Sequence, residues 1–117
     1  MGSVSAKTAI EGAMAWHKAA DTTIFKDDMD VVGVMIGNEP VALYRLSGGY
    51  FATSNVCTHE FALLSDGYVE DGCIECPLHQ ALFDIATGAC RGGPVDQPIK
   101  VYPVRLEGTA IMVELPA

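Results

Sequence analysis

From Met29 onward the chain turns to a period of two and to β-branched residues, a pattern of extended rather than helical structure. Residues 30–36, 41–47 and 50–54 read as three strands. The turn chemistries Gly37-Asn38-Glu39-Pro40 and Ser47-Gly48-Gly49 join them as an antiparallel meander. In the second strand Ala42, Tyr44 and Leu46 share one face, and Val41, Leu43 and Arg45 share the other. Neither face is purely polar, so a closed sandwich or small barrel is expected to bury most of both.

The same pattern returns late, with residues 99–106 and 110–115 reading as strands joined through Glu107-Gly108-Thr109. Between residues 55 and 95 it lapses. A stretch of about forty residues with little periodicity is improbable in a compact domain unless something other than apolar burial orders it. Within it, Tyr68-Val69-Glu70 and Cys73-Ile74-Glu75 flank the hairpin signal Asp71-Gly72, and residues 81–85 offer a further strand before Thr87-Gly88. Such a hairpin would hold Cys76 at its exit. The expected fold class is therefore all-β, a small antiparallel β sandwich or barrel. Residues 1–13 are expected to be a flexible N-terminal tail, or one or two helical turns from Ala6, Ala9, Ile10 and Ala13. Residues 14–117 form a single domain with an insertion over about 55–95.

Composition narrows the classes of function. The 117 residues are 50% hydrophobic and 19% charged, enough for one modest core. With 15 Asp and Glu against 7 Lys and Arg, the net charge of −8 argues against nucleic acid or an anionic membrane as partner. It favours solubility and docking onto basic protein patches. No basic segment followed by an apolar one opens the chain, and the longest apolar run, around residues 31–36, is too short to span a bilayer. A cytoplasmic location is expected. In a reducing compartment Cys57, Cys73, Cys76 and Cys90 are metal ligands or buried thiols rather than disulfides. Cys73-Ile74-Glu75-Cys76 is a bare C-x-x-C, without the βαβ surroundings of a thioredoxin-like motif.

The chemistry concentrates in the insertion. Cys57-Thr58-His59 is followed, after sixteen residues, by Cys76-Pro77-Leu78-His79. Two short loops each offer one thiolate and one imidazole, which is hard to explain without metal. Two Cys and two His would also suit a structural zinc ion in a module for protein contacts. Zinc modules usually pair Cys with Cys and His with His, whereas a two-iron, two-sulfide cluster with Cys on one iron and His on the other needs mixed loops.

These loops, together with Ser65-Asp66-Gly67-Tyr68, Phe83-Asp84 and Thr87-Gly88, closely resemble the Rieske-type ferredoxins of bacterial aromatic-ring-hydroxylating dioxygenase systems. The similarity runs from about Trp16 to the end. It implies the Rieske fold, a small β domain with an inserted cluster-binding subdomain, and one [2Fe-2S] cluster per chain. It places a tryptophan such as Trp16 at the start of the first strand, against an Ala-rich pattern that would carry a helix through it. Gly93-Pro94-Val95 matches the family's proline loop over the cluster. Carried over by residue, Cys57 and Cys76 bind one iron and His59 and His79 the other. With two bridging sulfides each iron then has four ligands and no open position for a substrate. A non-haem oxygenase would need two further His and a carboxylate, and only His17 remains.

The resemblance implies an electron carrier, not an enzyme, working between a flavin-containing ferredoxin reductase and a terminal ring-hydroxylating oxygenase. A monomer suits that traffic. A Rieske subunit of some other oxidoreductase is the remaining alternative. Two ferric ions, two sulfides and two thiolates sum to zero charge, and the reduced site carries −1. High-potential relatives have an inter-loop disulfide where this chain has Ala62 and Leu78, and Ser and Tyr hydroxyls where it has Ala81 and Phe83. A potential toward the low end of the roughly −150 to +300 mV range follows. His59 and His79 are expected to present their free ring nitrogens at the protein tip. Cys73 and Cys90 are expected to be buried, unligated thiols, and His17 a surface residue. Glu60, beside His59, departs from the small residue the family leads one to expect.

Overall fold

The computed structural model describes residues 13–57, 62–78, 80–93 and 97–117. Its first strand, β1 (Met14–Asp21), contains Trp16 and pairs antiparallel with the last, so the strand reading of this segment holds. The expected tail lies almost wholly outside the described residues. Three strands follow as a meander: β2 (Val31–Ile36), β3 (Glu39–Leu46) and β4 (Gly49–Ser54). The first turn is tighter than expected, because Glu39 and Pro40 already belong to β3. Pro40 is tolerated there because its carbonyl points beyond the end of β4, accepting the Asn55 N–H at 3.0 Å. Its missing N–H therefore costs no β3–β4 ladder bond.

The insertion is more regular than its sequence pattern. It forms its own antiparallel sheet, β5 (Tyr68–Glu70), β6 (Cys73–Glu75), β7 (Leu82–Asp84) and β8 (Cys90–Gly92) in that order. Asp71 and Gly72, both at positive φ, make the expected β5–β6 turn. β8 had no counterpart in the pattern, since three residues are too few to show a period.

The expected strand over residues 99–106 is in fact two. β9 (Val101–Tyr102) pairs with β4, while β10 (Val104–Glu107) pairs with β11 (Ala110–Pro116), which also pairs with β1. Pro103 separates them. Lacking an N–H and fixed in φ, it ends one ladder and lets the chain change sheets. No helix among the described residues is long and apolar enough to cross a membrane.

β3 is the wall between two cores. Val41, Ala42, Leu43 and Tyr44 are all buried, and their alternation sends Val41 and Leu43 into a core with Phe25, Ile111, Val113 and Leu115. Ala42 and Tyr44 enter the other, with Ile74, Phe83 and Ile85 of the inserted sheet. Each fully buried large apolar side chain contributes about 1.5–3 kcal/mol, so this strand joins base and insertion more firmly than any loop could. Arg45 leaves the cores and donates to the carbonyls of Lys26, Asp27 and Met29 at 2.8, 3.2 and 2.9 Å.

Candidate metal centre

Two loops of the insertion close in the same way. The Cys57 N–H donates to the Ala62 carbonyl at 3.0 Å, and the Cys76 N–H donates to the Ala81 carbonyl at 2.8 Å. In each case a cysteine opens the loop and an alanine five residues on closes it. Both cysteines and both alanines are buried in one cluster, with Leu64, Ile74 and Phe83 around them. The topology thus gathers two thiols nineteen positions apart in the chain (76 − 57) at the necks of neighbouring loops. No disulfide joins any of the four cysteines.

The second neck is tightened further. The Gln80 N–H donates to the Cys76 carbonyl at 2.9 Å, and Gln80 holds a φ of 58°, a conformation that non-glycine residues adopt at a cost of about 1 kcal/mol or more. Gly93 packs on its far side, where a Cβ would lie 2.6 Å from the Ala81 Cα. Its φ of 101° also excludes other residues. This is the start of the segment matched to the proline loop. Pro94 and Val95 lie outside the described residues.

So do Thr58, His59, Glu60 and His79. The expected ligand set is therefore seen through its two cysteines alone, and no third His, Cys, Asp or Glu joins them among the described residues. The donor chemistry nevertheless fits a thiolate-bound cluster. Two cysteines in one apolar cluster, each at the mouth of a loop that carries a histidine in sequence, supply the half of the set that a [2Fe-2S] centre of mixed ligation requires.

The other cysteines and His17 stand differently from expectation. Cys73 and Cys90 are half-buried rather than buried. Register explains it: Cys73 pairs with Glu70 and Asp84 on the outward face of the inserted sheet, while Cys90 pairs with Phe83 on the inward face of its edge strand. The Cys90 Sγ lies 3.7 Å from the Gly92 carbonyl. His17 is half-buried rather than freely exposed. Its Nε2 is buried, with no hydrogen-bond partner among the described residues, because β1 folds it against Val113 of β11 and beside the β2–β3 turn.

Behind the second loop, Asp84 organises a turn. Its Oδ1 accepts the N–H groups of Ala86 and Thr87, both at 3.0 Å, and its Oδ2 accepts from Arg91 at 2.9 Å. The Arg91 bond, helped by the Thr87 N–H, holds the Asp84 carboxyl below the usual aspartate range. Asn55 and Ser65, which brace the first loop, were missed as site residues. Ser65 lies in the motif quoted above, but Asn55 carries no signal in a single sequence beyond standing two residues before Cys57.

Residues 15–103 match the Rieske [2Fe-2S] domain. The ferredoxin subunit of anthranilate 1,2-dioxygenase from Burkholderia cepacia is 45% identical over 91 residues, 78% of this chain and 83% of that one. Among solved structures, the Sphingomonas yanoikuyae B1 ferredoxin superposes with a TM-score of 0.80 at 38% identity, covering 87% of this chain and all of that one. A complex of reduced oxygenase and oxidised ferredoxin in carbazole 1,9a-dioxygenase contains a chain that matches with a TM-score of 0.75 at 30% identity, over 84% of this chain and 91% of that one.

Proposed function

Because this chain belongs to the family of Rieske [2Fe-2S] domains, we propose that it is an electron-transfer ferredoxin of an aromatic-ring-hydroxylating dioxygenase system. It carries single electrons from a flavin-containing reductase to a terminal oxygenase in the cytoplasm. The observation that carries this reading is the pair of alike-closed loops that bring Cys57 and Cys76 into one buried cluster. Cys57 and Cys76 would hold one iron and His59 and His79 the other. The bound cluster supplies reversible one-electron chemistry at nearly constant structure.

What the chain itself does is protect and present. Burial of both thiols keeps water and oxidants from them, and the two backbone-closed necks hold the protein still while charge changes. Leu78, 64% exposed and two residues after Cys76, gives an approaching protein an apolar contact close to the centre. The family match favours the cluster over a structural zinc ion. The identity of the relatives favours a dioxygenase system over another oxidoreductase.

The test is reconstitution. Mixed with an oxidised ring-hydroxylating oxygenase, the reduced protein should bleach the oxygenase's Rieske absorbance and support single-turnover hydroxylation. Transfer to another class of oxidoreductase, with none to any oxygenase, would overturn the proposal.

A further inference from the structure

We propose that Asn55 and Ser65 form a clamp that positions Cys57, making Asn55 a positioning residue for retention of the cluster; the inference rests on the Rieske reading above. Asn55 is 4% exposed and spends every polar group on the first loop or its base. Its Oδ1 accepts the Ser65 N–H at 2.7 Å, and its Nδ2 donates to the Ser65 Oγ at 2.9 Å. Its main chain donates to the Pro40 carbonyl at 3.0 Å and accepts from the Leu64 N–H at 2.8 Å. The residue two before Cys57 is thereby tied both to β3 and to the chain returning from the loop.

From this clamp a short stem runs out to the centre. Val56 bridges Leu63, and the Cys57 N–H reaches the Ala62 carbonyl at 3.0 Å. A two-stranded stem of this length is marginal by itself. The second neck is drawn in by Gln80 and backed by Gly93. The first is braced by the side chain of Asn55, with the Ser54 Oγ accepting the Val56 N–H at 3.3 Å.

The base sheet is shaped to accept the clamp. A Cβ on Gly33 of β2 would lie 2.7 Å from the Asn55 Nδ2 and 2.7 Å from the Ser65 Oγ. Gly33 is not among the positive-φ residues, so its backbone does not require glycine. The space does. The same juxtaposition couples β2 to the position of Cys57, although the two are far apart in sequence.

The experiment uses the full chain loaded with iron and sulfide. It follows the decay of visible absorbance in a ferrous chelator, the EPR spectrum of the reduced protein, and amide exchange at Cys57, Leu64 and Ser65. Asn55→Ala should speed cluster loss about tenfold or more, the effect of two lost hydrogen bonds of ordinary strength. It should also shift the EPR signal and deprotect those three amides. Ser65→Ala should do less, and the double variant no more than Asn55→Ala alone, because both act on one clamp. Gly33→Ala keeps both clamp residues and should still speed cluster loss. Ile111→Val, a mild lesion in the other core, should leave release within about twofold and the EPR signal unmoved.

Equal release rates for Asn55→Ala and Ile111→Val, or fully additive effects of Asn55→Ala and Ser65→Ala, would overturn the clamp. Should Asn55→Ala fail to fold, Ser65→Ala and Gly33→Ala decide: unchanged release and EPR in both would overturn it. Failure of the Rieske reading shows separately, as a parent protein without two irons and two sulfides per chain.

Discussion

The hydroxyl of Tyr44 lies 2.8 Å from the hydroxyl of Thr53, and both side chains are completely buried. Thr53 also bonds the Ser54 carbonyl at 2.9 Å, so the tyrosine supplies the donor of a closed chain across β3 and β4. Tyr44→Phe removes one hydrogen bond but leaves Thr53 paired. A loss of about 1 kcal/mol is expected, seen as a fall of about 4 °C in Tm.

The same residue makes stability depend on pH. Burial pushes the Tyr44 phenol well above the usual tyrosine value, opposed in part by the Thr53 bond. Burial and then the Glu39 carboxylate push Tyr102 up to about 12. In both, the folded state favours the neutral phenol, so their contribution is complete below the unfolded value of about 10 and is lost as pH rises beyond it. Denaturant titrations from pH 9 to 12 should show falling stability, with a shallower fall in Tyr44→Phe. An unchanged slope would refute the assignment.

Asp84 sets the acid side. With its folded value depressed by Arg91 and the Thr87 N–H, its contribution is present above the ordinary carboxylate range and disappears as pH falls through the lowered value. Asp84→Ala should therefore lower Tm at pH 7 and flatten its decline below pH 4. Arg91→Ala should produce a smaller change in the same direction, because the two backbone N–H bonds to Asp84 survive. Thermal scans across pH 2 to 7 check both.

Leu78 is the apolar contact offered beside the second loop. Leu78→Glu should reduce the second-order rate of electron transfer to an oxygenase about tenfold, the cost of one lost hot spot. The reduction potential should stay near that of the parent. Stopped-flow kinetics with a parallel potentiometric titration separates docking from driving force.

Ala81 and Phe83 are fully buried in the cluster that holds Cys76, and neither offers a side-chain donor. A low reduction potential is expected, toward the low end of the roughly −150 to +300 mV range. Ala81→Ser should raise it by about 40 mV, one ordinary hydrogen bond expressed for a single electron. A clearly positive potential in the parent protein would remove the basis of this prediction.

Much of this was legible in the residues. Alternation over 30–54 located the meander, and Asp71-Gly72 located the hairpin that delivers Cys76, because period and turn chemistry are local signals. The division of the late strand at Pro103 was not legible, since which sheet a strand joins depends on distant partners. Nor was the role of Asn55, whose partners Ser65 and Pro40 meet it only once β3 and the first loop are folded together. Cys73 and Cys90 read alike in sequence, yet register sends them to opposite faces of one sheet. Burial of Cys57 and Cys76 in one cluster is likewise a product of the tertiary arrangement, while their candidacy as ligands was evident from spacing with His59 and His79.

We propose that this chain is a one-electron carrier built on Cys57, His59, Cys76 and His79. Anaerobic coulometric titration of the purified protein, with iron and acid-labile sulfide counted on the same sample, tests it most directly. Two irons, two sulfides and one reversibly accepted electron per chain are expected, with Cys57→Ser and His79→Ala each abolishing that stoichiometry. One colourless zinc per chain and no electron uptake would contradict it.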